Sequence, residues 1–253
     1  MNQSTLALVT GGSRGLGKDM ALSLAKKGHN VILTYRSQQH EADAVVREIE
    51  ALGQQAVALP LNLADLSGLD AFVGAVADVL KTRLNATGID YLVNNAGMGA
   101  TVPFATLTEE LFDEFMNVHY KGVFFLTQKL LPHLNDGGGI VNISSGTTRF
   151  AIPGYSVYSS MKGAMEVLTK CWAKELGARG IRCNIVAPGP IETDFNDAAI
   201  RNNAQMKGFL SSLSPLNRVG NADDIGGVVA FLCTDDARWI NGQRIEVAGG
   251  INV

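Results

Sequence analysis

Short apolar runs rich in β-branched residues recur at 6–10, 31–34, 56–59, 89–93, 140–143, 181–186 and 244–247. Between them lie stretches with helical spacing, at 16–27, 41–52, 66–84, 111–134, 157–177 and 223–232. Runs this short suit strands buried on both faces, and the longer stretches suit amphipathic helices. Strand and helix taking turns demand crossover connections, which build a parallel sheet covered by helices on both faces. The pattern therefore predicts an α/β protein with a doubly wound parallel sheet of about seven strands. No linker, repeat or low-complexity tract divides residues 1–253, so a single domain is expected. The segment 191–213 lacks a clean period and contains Asn, Gly and Ser. It is expected to be a lid over a site.

Composition narrows the function classes. Of the 253 residues, 46% are hydrophobic and 18% charged, the reverse of a disordered chain. A formal net charge of −3 without any basic block argues against a nucleic-acid partner. So few charges also suit a surface partly hidden in an oligomer. Cys171, Cys183 and Cys233 share no metal-ligand spacing, and are expected to be buried, reduced thiols. His29, His40, His119 and His133 form no i, i+4 pair, so no metal site is expected. No uncharged apolar run approaches the ~20 residues of a membrane span. A soluble, cytoplasmic protein is the expectation.

The first strand runs directly into Gly11-Gly12-Ser13-Arg14-Gly15-Leu16-Gly17 and then a helix. Glycines let the backbone approach a pyrophosphate closely, and a helix N-terminus offers it free N–H groups and a positive dipole end. Strand, glycine loop and helix at the first βα crossing form a dinucleotide-binding signature of the Rossmann type.

Later motifs fall in a definite order. Asn94-Asn95-Ala96-Gly97 closes the fourth strand, Asn117 lies in the next helical stretch, and Ser145 follows the fifth strand. Tyr158-Ser-Ser-Met-Lys162 opens the long helix, and Pro188-Gly189-Pro190-Ile191-Glu192-Thr193 follows the sixth strand. Over its whole length the chain resembles the single-domain branch of the short-chain dehydrogenase/reductase family. The resemblance implies NADP(H) held by Gly11, Ser13, Arg14, Gly15, Leu16 and Gly17, then by Arg36 and Ser37. It extends the site to Asn62 and Leu63, to Asn95, Ala96 and Gly97, and to Pro188, Gly189, Ile191 and Thr193. Tyr158 and Lys162 complete it. The second strand ends without the carboxylate that would accept both ribose hydroxyls of NAD. Arg36 stands there instead, with Arg14 in reserve, and a guanidinium suits a 2′-phosphate. Asn62 departs from the family's usual Asp, which puts adenine affinity in doubt.

Tyr-x-x-x-Lys alone is a poor signal, since five tyrosines give roughly 0.2 chance matches. Only Tyr158 has Lys at i+4, on the same helix face, where its cation favours the phenolate. Ser145 lies thirteen residues earlier, at the family's spacing and at the sheet's C-terminal edge. There its hydroxyl would stabilise charge on a carbonyl oxygen. Ser144 is its neighbour, and the residues alone leave both open. The resemblance implies that Tyr158 protonates the oxygen while hydride reaches the carbon. It implies that Lys162 holds the nicotinamide ribose, and that Asn117 holds a water in a proton relay ending at Lys162.

The reaction expected is NADPH-dependent reduction of a small-molecule ketone or other carbonyl to a secondary alcohol. The alternative is 3-oxoacyl-(acyl-carrier-protein) reduction, which the stretch 214–250 resembles. A different class of alternative, a non-catalytic NADPH-binding sensor or scaffold, fits less well because all four catalytic residue types are present. Asn135-Asp136-Gly137-Gly138-Gly139 lacks the basic residues that would dock an acidic carrier. Met98, Phe150, Tyr155 and Phe195, with Pro153, are expected to line an apolar substrate pocket, Arg149 being the nearby charge. Apolar residues spread over about half the circumference of the helix after Tyr158, more than the ~100° stripe of a one-sided helix. A homo-oligomer is expected, and the resemblance makes it a tetramer.

Overall fold

The computed structural model describes residues 4–251. Its strands are β1 (Leu6–Val9), β2 (Asn30–Tyr35), β3 (Ala56–Pro60), β4 (Ile89–Asn94), β5 (Leu134–Ile143), β6 (Arg182–Pro188) and β7 (Arg244–Val247). They form one sheet in the order β3-β2-β1-β4-β5-β6-β7, and each neighbouring pair is parallel.

The helices are α1 (Gly15–Lys26), α2 (Gln39–Ala51), α3 (Leu69–Thr82), α4 (Glu109–Met116), α5 (Gly122–Leu130) and α6 (Ser156–Glu175). Three more follow, α7 (Phe195–Asn202), α8 (Ala204–Ser212) and α9 (Asp223–Leu232). Period-two alternation sorts the strand residues between two cores. Leu6, Leu8, Ile32, Leu92 and Ile140 face the core shared with α3, α5 and α6. Ala7, Val9, Val31, Leu33 and Val141 face the core shared with α1, α2 and α9. Each fully buried Leu or Ile adds ~1.5–3 kcal/mol of transfer free energy, so a register slip of one residue is strongly disfavoured.

Three elements differ from the periodicity. The stretch 111–134 is broken, because a π-helical turn, Asn117–Lys121, separates α4 from α5. A Cβ on Gly122 would meet the Leu63 carbonyl oxygen at 2.4 Å, so the helix presses closely on the loop after β3 there. Pro132 lies in a 3-10 turn beyond α5. β5 begins six residues before its apolar run, at Leu134, through a glycine tract that hydropathy cannot mark as strand. Glycine is required there, since a Cβ on Gly138 would stand 2.1 Å from the Asp90 carbonyl oxygen. The segment 191–213 is not irregular throughout, for it carries α7 and α8.

The order reverses between β1 and β4. The carboxyl ends of strands on either side of such a switch point diverge, and ligands of doubly wound sheets bind in that crevice. The glycine loop follows β1, Asn95–Gly97 follows β4, and Ser145 follows β5, so all three reach this edge.

Candidate active site

The glycine loop is built for close approach. Gly11 and Gly15 have φ of 66° and 54°, in the left-handed region. A Cβ on Gly17 would lie 2.0 Å from the Gly11 carbonyl oxygen, so α1 starts against the loop itself. Asn95 ties the loop to β4, its Nδ2 donating to the Thr10 and Gly11 carbonyls at 2.9 and 3.1 Å. Thr10 Oγ1 answers by accepting from the backbone N–H groups of Asn95 and Ala96, both at 3.0 Å. α1 has no side-chain cap and no acidic residue in its first turn. Its N-terminal N–H groups and dipole end therefore favour an anion, and this cradle, which a Cβ would fill, fits a dinucleotide pyrophosphate.

The remaining cofactor candidates surround that cradle. Arg14 and Ser37 are exposed, as is Arg36, which lies 4.0 Å from Glu114 across solvent. Leu63 is buried and Asn62 exposed; the Asn62 Oδ1 accepts from the Ala64 N–H at 3.2 Å, an Asx turn. Ser13 and Leu16 are half-buried within the loop. Pro188 ends β6, and Gly189 packs where a Cβ would meet Ala248 at 2.8 Å. Ile191 bridges Gly220, while Thr193 approaches Gly15, its methyl 3.9 Å from an ideal Cβ there.

Ser145, Tyr158 and Lys162 converge. Tyr158 and Lys162 are both buried, one turn apart on α6. The Lys162 Nζ lies 5.6 Å from the Tyr158 ring centroid and donates to the Ile143 carbonyl at 2.8 Å, where β5 ends. Burial pushes the Tyr158 phenol up to about 12, against a hydrogen bond from Ser145 that pulls it down. Desolvation thus sets the phenol, and Lys162 is not among the groups that shift it. Burial likewise lowers Lys162 to about 8.

Ser144 and Ser145 separate cleanly. Ser144 Oγ turns away and donates to Glu166 at 2.6 Å. Ser145 Oγ accepts from the N–H and hydroxyl of Thr147 at 3.2 and 3.1 Å, and meets Tyr158.

From the π-helical turn, the residue against Tyr158 is His119. Its ring stands edge-on to the phenol at 5.3 Å and stacks on Phe115 at 5.6 Å. Its Nε2 lies 2.8 Å from the Met98 carbonyl oxygen and 3.2 Å from the Met98 nitrogen, while its buried Nδ1 has no hydrogen-bond partner among the described residues. Gly97 makes room for it, since a Cβ there would meet the ring at 2.8 Å. Asn117 is half-buried, and its backbone carbonyl accepts from the Gly122 N–H. Its side chain makes no hydrogen bond among the described residues. A polar ring inside an apolar helical stretch was the available signal for His119.

The apolar wall is partly assembled. Tyr155 and Phe195 each lie 6.1 Å from Tyr158 between ring centroids, and Met98 packs on the same cluster. Phe195 also fills the space above Gly99, where a Cβ would meet its ring at 2.5 Å. Phe150 instead packs on Gly146 and under the Arg149 guanidinium.

A buried phenol, an amine and a hydroxyl beside a dinucleotide cradle define an oxidoreductase of carbonyl and alcohol groups. Residues 11–252 match the family described as Enoyl-(Acyl carrier protein) reductase. An uncharacterized oxidoreductase of Methylorubrum extorquens is 38% identical over 249 residues, covering 98% of each chain. The 3-oxoacyl-(acyl-carrier-protein) reductase FabG of Staphylococcus aureus is 38% identical over 253 residues, covering 99% of each. The angucycline C-6 ketoreductase LanV, solved with bound NADP, superposes with a TM-score of 0.93 at 38% identity, covering 98% of this chain and 96% of LanV. The chain belongs to the short-chain dehydrogenase/reductase family.

Proposed function

We propose that this enzyme reduces a free, largely apolar ketone, with Ser145, Tyr158 and Lys162 as its catalytic residues. It is an NADPH-dependent carbonyl reductase. The observation that carries the assignment of roles is the convergence of the three side chains at the carboxyl edge of β5. Bound NADPH supplies hydride to the carbonyl carbon. The residues of the chain do the rest. Ser145 donates its hydroxyl hydrogen to the carbonyl oxygen, since its lone pairs are engaged by Thr147. Tyr158 delivers the proton as charge develops on that oxygen. Lys162 adds a cation beside the phenol and reaches the nicotinamide ribose. Arg36, with Arg14, holds the 2′-phosphate, and the glycine loop with α1 holds the pyrophosphate.

Tyr155, Phe195 and Met98 support an apolar ligand, since all three pack about Tyr158 or its cluster. In this reading 191–213 is the lid of a single domain, and closure would exclude water from the reacting centre. A cytoplasmic homotetramer is part of the same reading, supported by exposed Phe112, Phe125 and Val167 on α4, α5 and α6. Among the described residues, no helix is long and apolar enough to cross a membrane. A second reading, reduction of a carrier-linked 3-oxoacyl group, is favoured by the similarity to FabG over the whole chain. The test is NADPH oxidation against a panel of ketones, diketones, quinones, sugars and acyl thioesters, with Tyr158→Phe as control. Turnover of a ketone, lost in that variant, is expected; no turnover on any carbonyl despite tight NADPH binding would return the scaffold reading.

A further inference from the structure

We propose that Glu166 and Arg244 are positioning residues that fix Ser145 for catalysis. The inference rests on the reading of Ser145 as the hydroxyl that meets the carbonyl oxygen.

Glu166 follows Tyr158 at i+8 and Lys162 at i+4 on α6, so the three share one face of that helix. Its Oε1 collects three donors from three different elements. Ser144 Oγ, just past β5, donates at 2.6 Å. Thr148 Oγ1, in the turn after Ser145, lies at 2.7 Å. Arg244 Nε, at the start of β7, donates at 2.7 Å. Arg244 in turn reaches the Thr148 hydroxyl at 3.1 Å and the Ser145 carbonyl at 3.5 Å. Ser145 is thus bracketed on both sides by hydroxyls held on one carboxylate, and its own carbonyl is held by the partner guanidinium.

Glu246 completes the charge balance. It takes Arg244 at 3.3 Å and pairs with Arg149, so two carboxylates face two guanidinium groups. The Glu166 and Arg244 side chains are only 19% and 18% exposed, so the pair is screened less than a surface ion pair. A hydroxyl that must meet a developing oxyanion needs to be held to within about 0.5 Å, and a rigid, charged frame does that better than the loop alone. Among the described residues, no hydrogen bond or ion pair joins Glu166 or Arg244 to the glycine loop, so the frame acts on the Ser145 side of the site and not on the cofactor cradle.

The experiment is a double-mutant cycle read by kcat, KM and NADPH affinity. Glu166→Ala should lower kcat at least about tenfold while NADPH Kd stays within about twofold. Glu166→Gln keeps an acceptor oxygen and should recover most of that loss. In a Ser145→Ala background, Glu166→Ala should add less than about a twofold further loss, because its route to the chemistry is gone. Should Glu166→Ala fold poorly, Thr148→Val removes one of the three contacts to the Glu166 carboxylate at nearly constant volume. It should lower kcat by about threefold or more, again only when Ser145 is present. A full, undiminished effect in the Ser145→Ala background, or wild-type kcat in both variants, would overturn the proposal alone. Wild-type activity in Ser145→Ala itself would overturn the reading of the site and the proposal with it.

Discussion

The His119 imidazole stands edge-on to the Tyr158 phenol, 5.3 Å between ring centroids at 89°. The same ring meets the Met98 carbonyl at 2.8 Å, so one buried side chain joins the loop after β4 to Tyr158. Burial first, then the Lys162 cation, holds this imidazole neutral down to about pH 3, against the pull of its hydrogen bond to Met98.

That depression makes stability depend on pH. Below the ordinary histidine value of 6.5 the unfolded chain takes up a proton that the folded chain refuses. The contribution of His119 is therefore present above pH 6.5 and is lost as pH falls towards 3. Between pH 7.5 and 5.5 the loss amounts to about 1.4 kcal/mol. Urea unfolding at both values should show wild type losing about that much more than His119→Phe. Equal losses would mean that the ring is charged in the folded protein.

Tyr158→Phe should leave NADPH affinity nearly intact and lower kcat by ~10²–10⁴-fold, since it removes only the proton donor. Lys162→Ala should damage both, because the proposed role of the amine includes the ribose. The pH profile separates the two groups. With the phenol up at about 12 and the amine down at about 8, the alkaline fall of kcat/KM belongs to Lys162. An apparent pKa near 8 is expected, and a profile flat to pH 10 would contradict the assignment.

NADPH should be preferred over NADH by at least ~tenfold in kcat/KM, since a hydrogen bond to a charged group contributes ~1.5–3 kcal/mol. Arg36 is exposed and only 4.0 Å from Glu114, an ion pair loose enough to yield to a phosphate. Arg36→Ala should weaken NADPH and leave NADH nearly unchanged. Equal use of both cofactors by the unaltered enzyme would remove Arg36 from the site.

Most of the fold was legible because both sheet faces are buried, so the strands announce themselves as apolar runs. Leu6 and Ala7 face opposite cores, yet hydropathy marks both. The first six residues of β5 stayed hidden because they form a glycine tract without an apolar signature, in which Gly138 answers to the Asp90 backbone, 48 residues away. α7 and α8 were hidden because they span only eight and nine residues, barely two turns each, too few for a helical period to declare itself. Local patterns also reveal the glycine loop and the Tyr158–Lys162 pair, whose spacing is one helical turn. His119, Glu166 and Arg244 escaped notice because their partners come from distant strands and turns. Only the folded chain brings Arg244 to Ser145, 99 residues away.

The substrate should be a free ketone in preference to a carrier-linked thioester. An acidic carrier is drawn by exposed cations, and steering of that kind changes on-rates by ~10–10³-fold. Arginines at both edges of the sheet are already engaged, Arg179 at the amino edge where β5 and β6 begin. Arg179 donates through Nε to Asp136 at 2.6 Å and through a second nitrogen to the Leu131 carbonyl at 3.0 Å. Arg149 pairs with Glu246, and Arg201 with Asp194 at 2.6 Å. What remains open towards the ligand is apolar, for Phe195 and Phe209 of α7 and α8 are both exposed. Comparing kcat/KM for a carrier-linked 3-oxoacyl group, its short thioester mimic and a series of aryl and alkyl ketones decides the matter. The ketones should lead, with little change between low and high salt, because no long-range attraction is at work. A large advantage for the carrier-linked form that disappears at high salt would show that a basic docking face exists and that these paired arginines open to serve it.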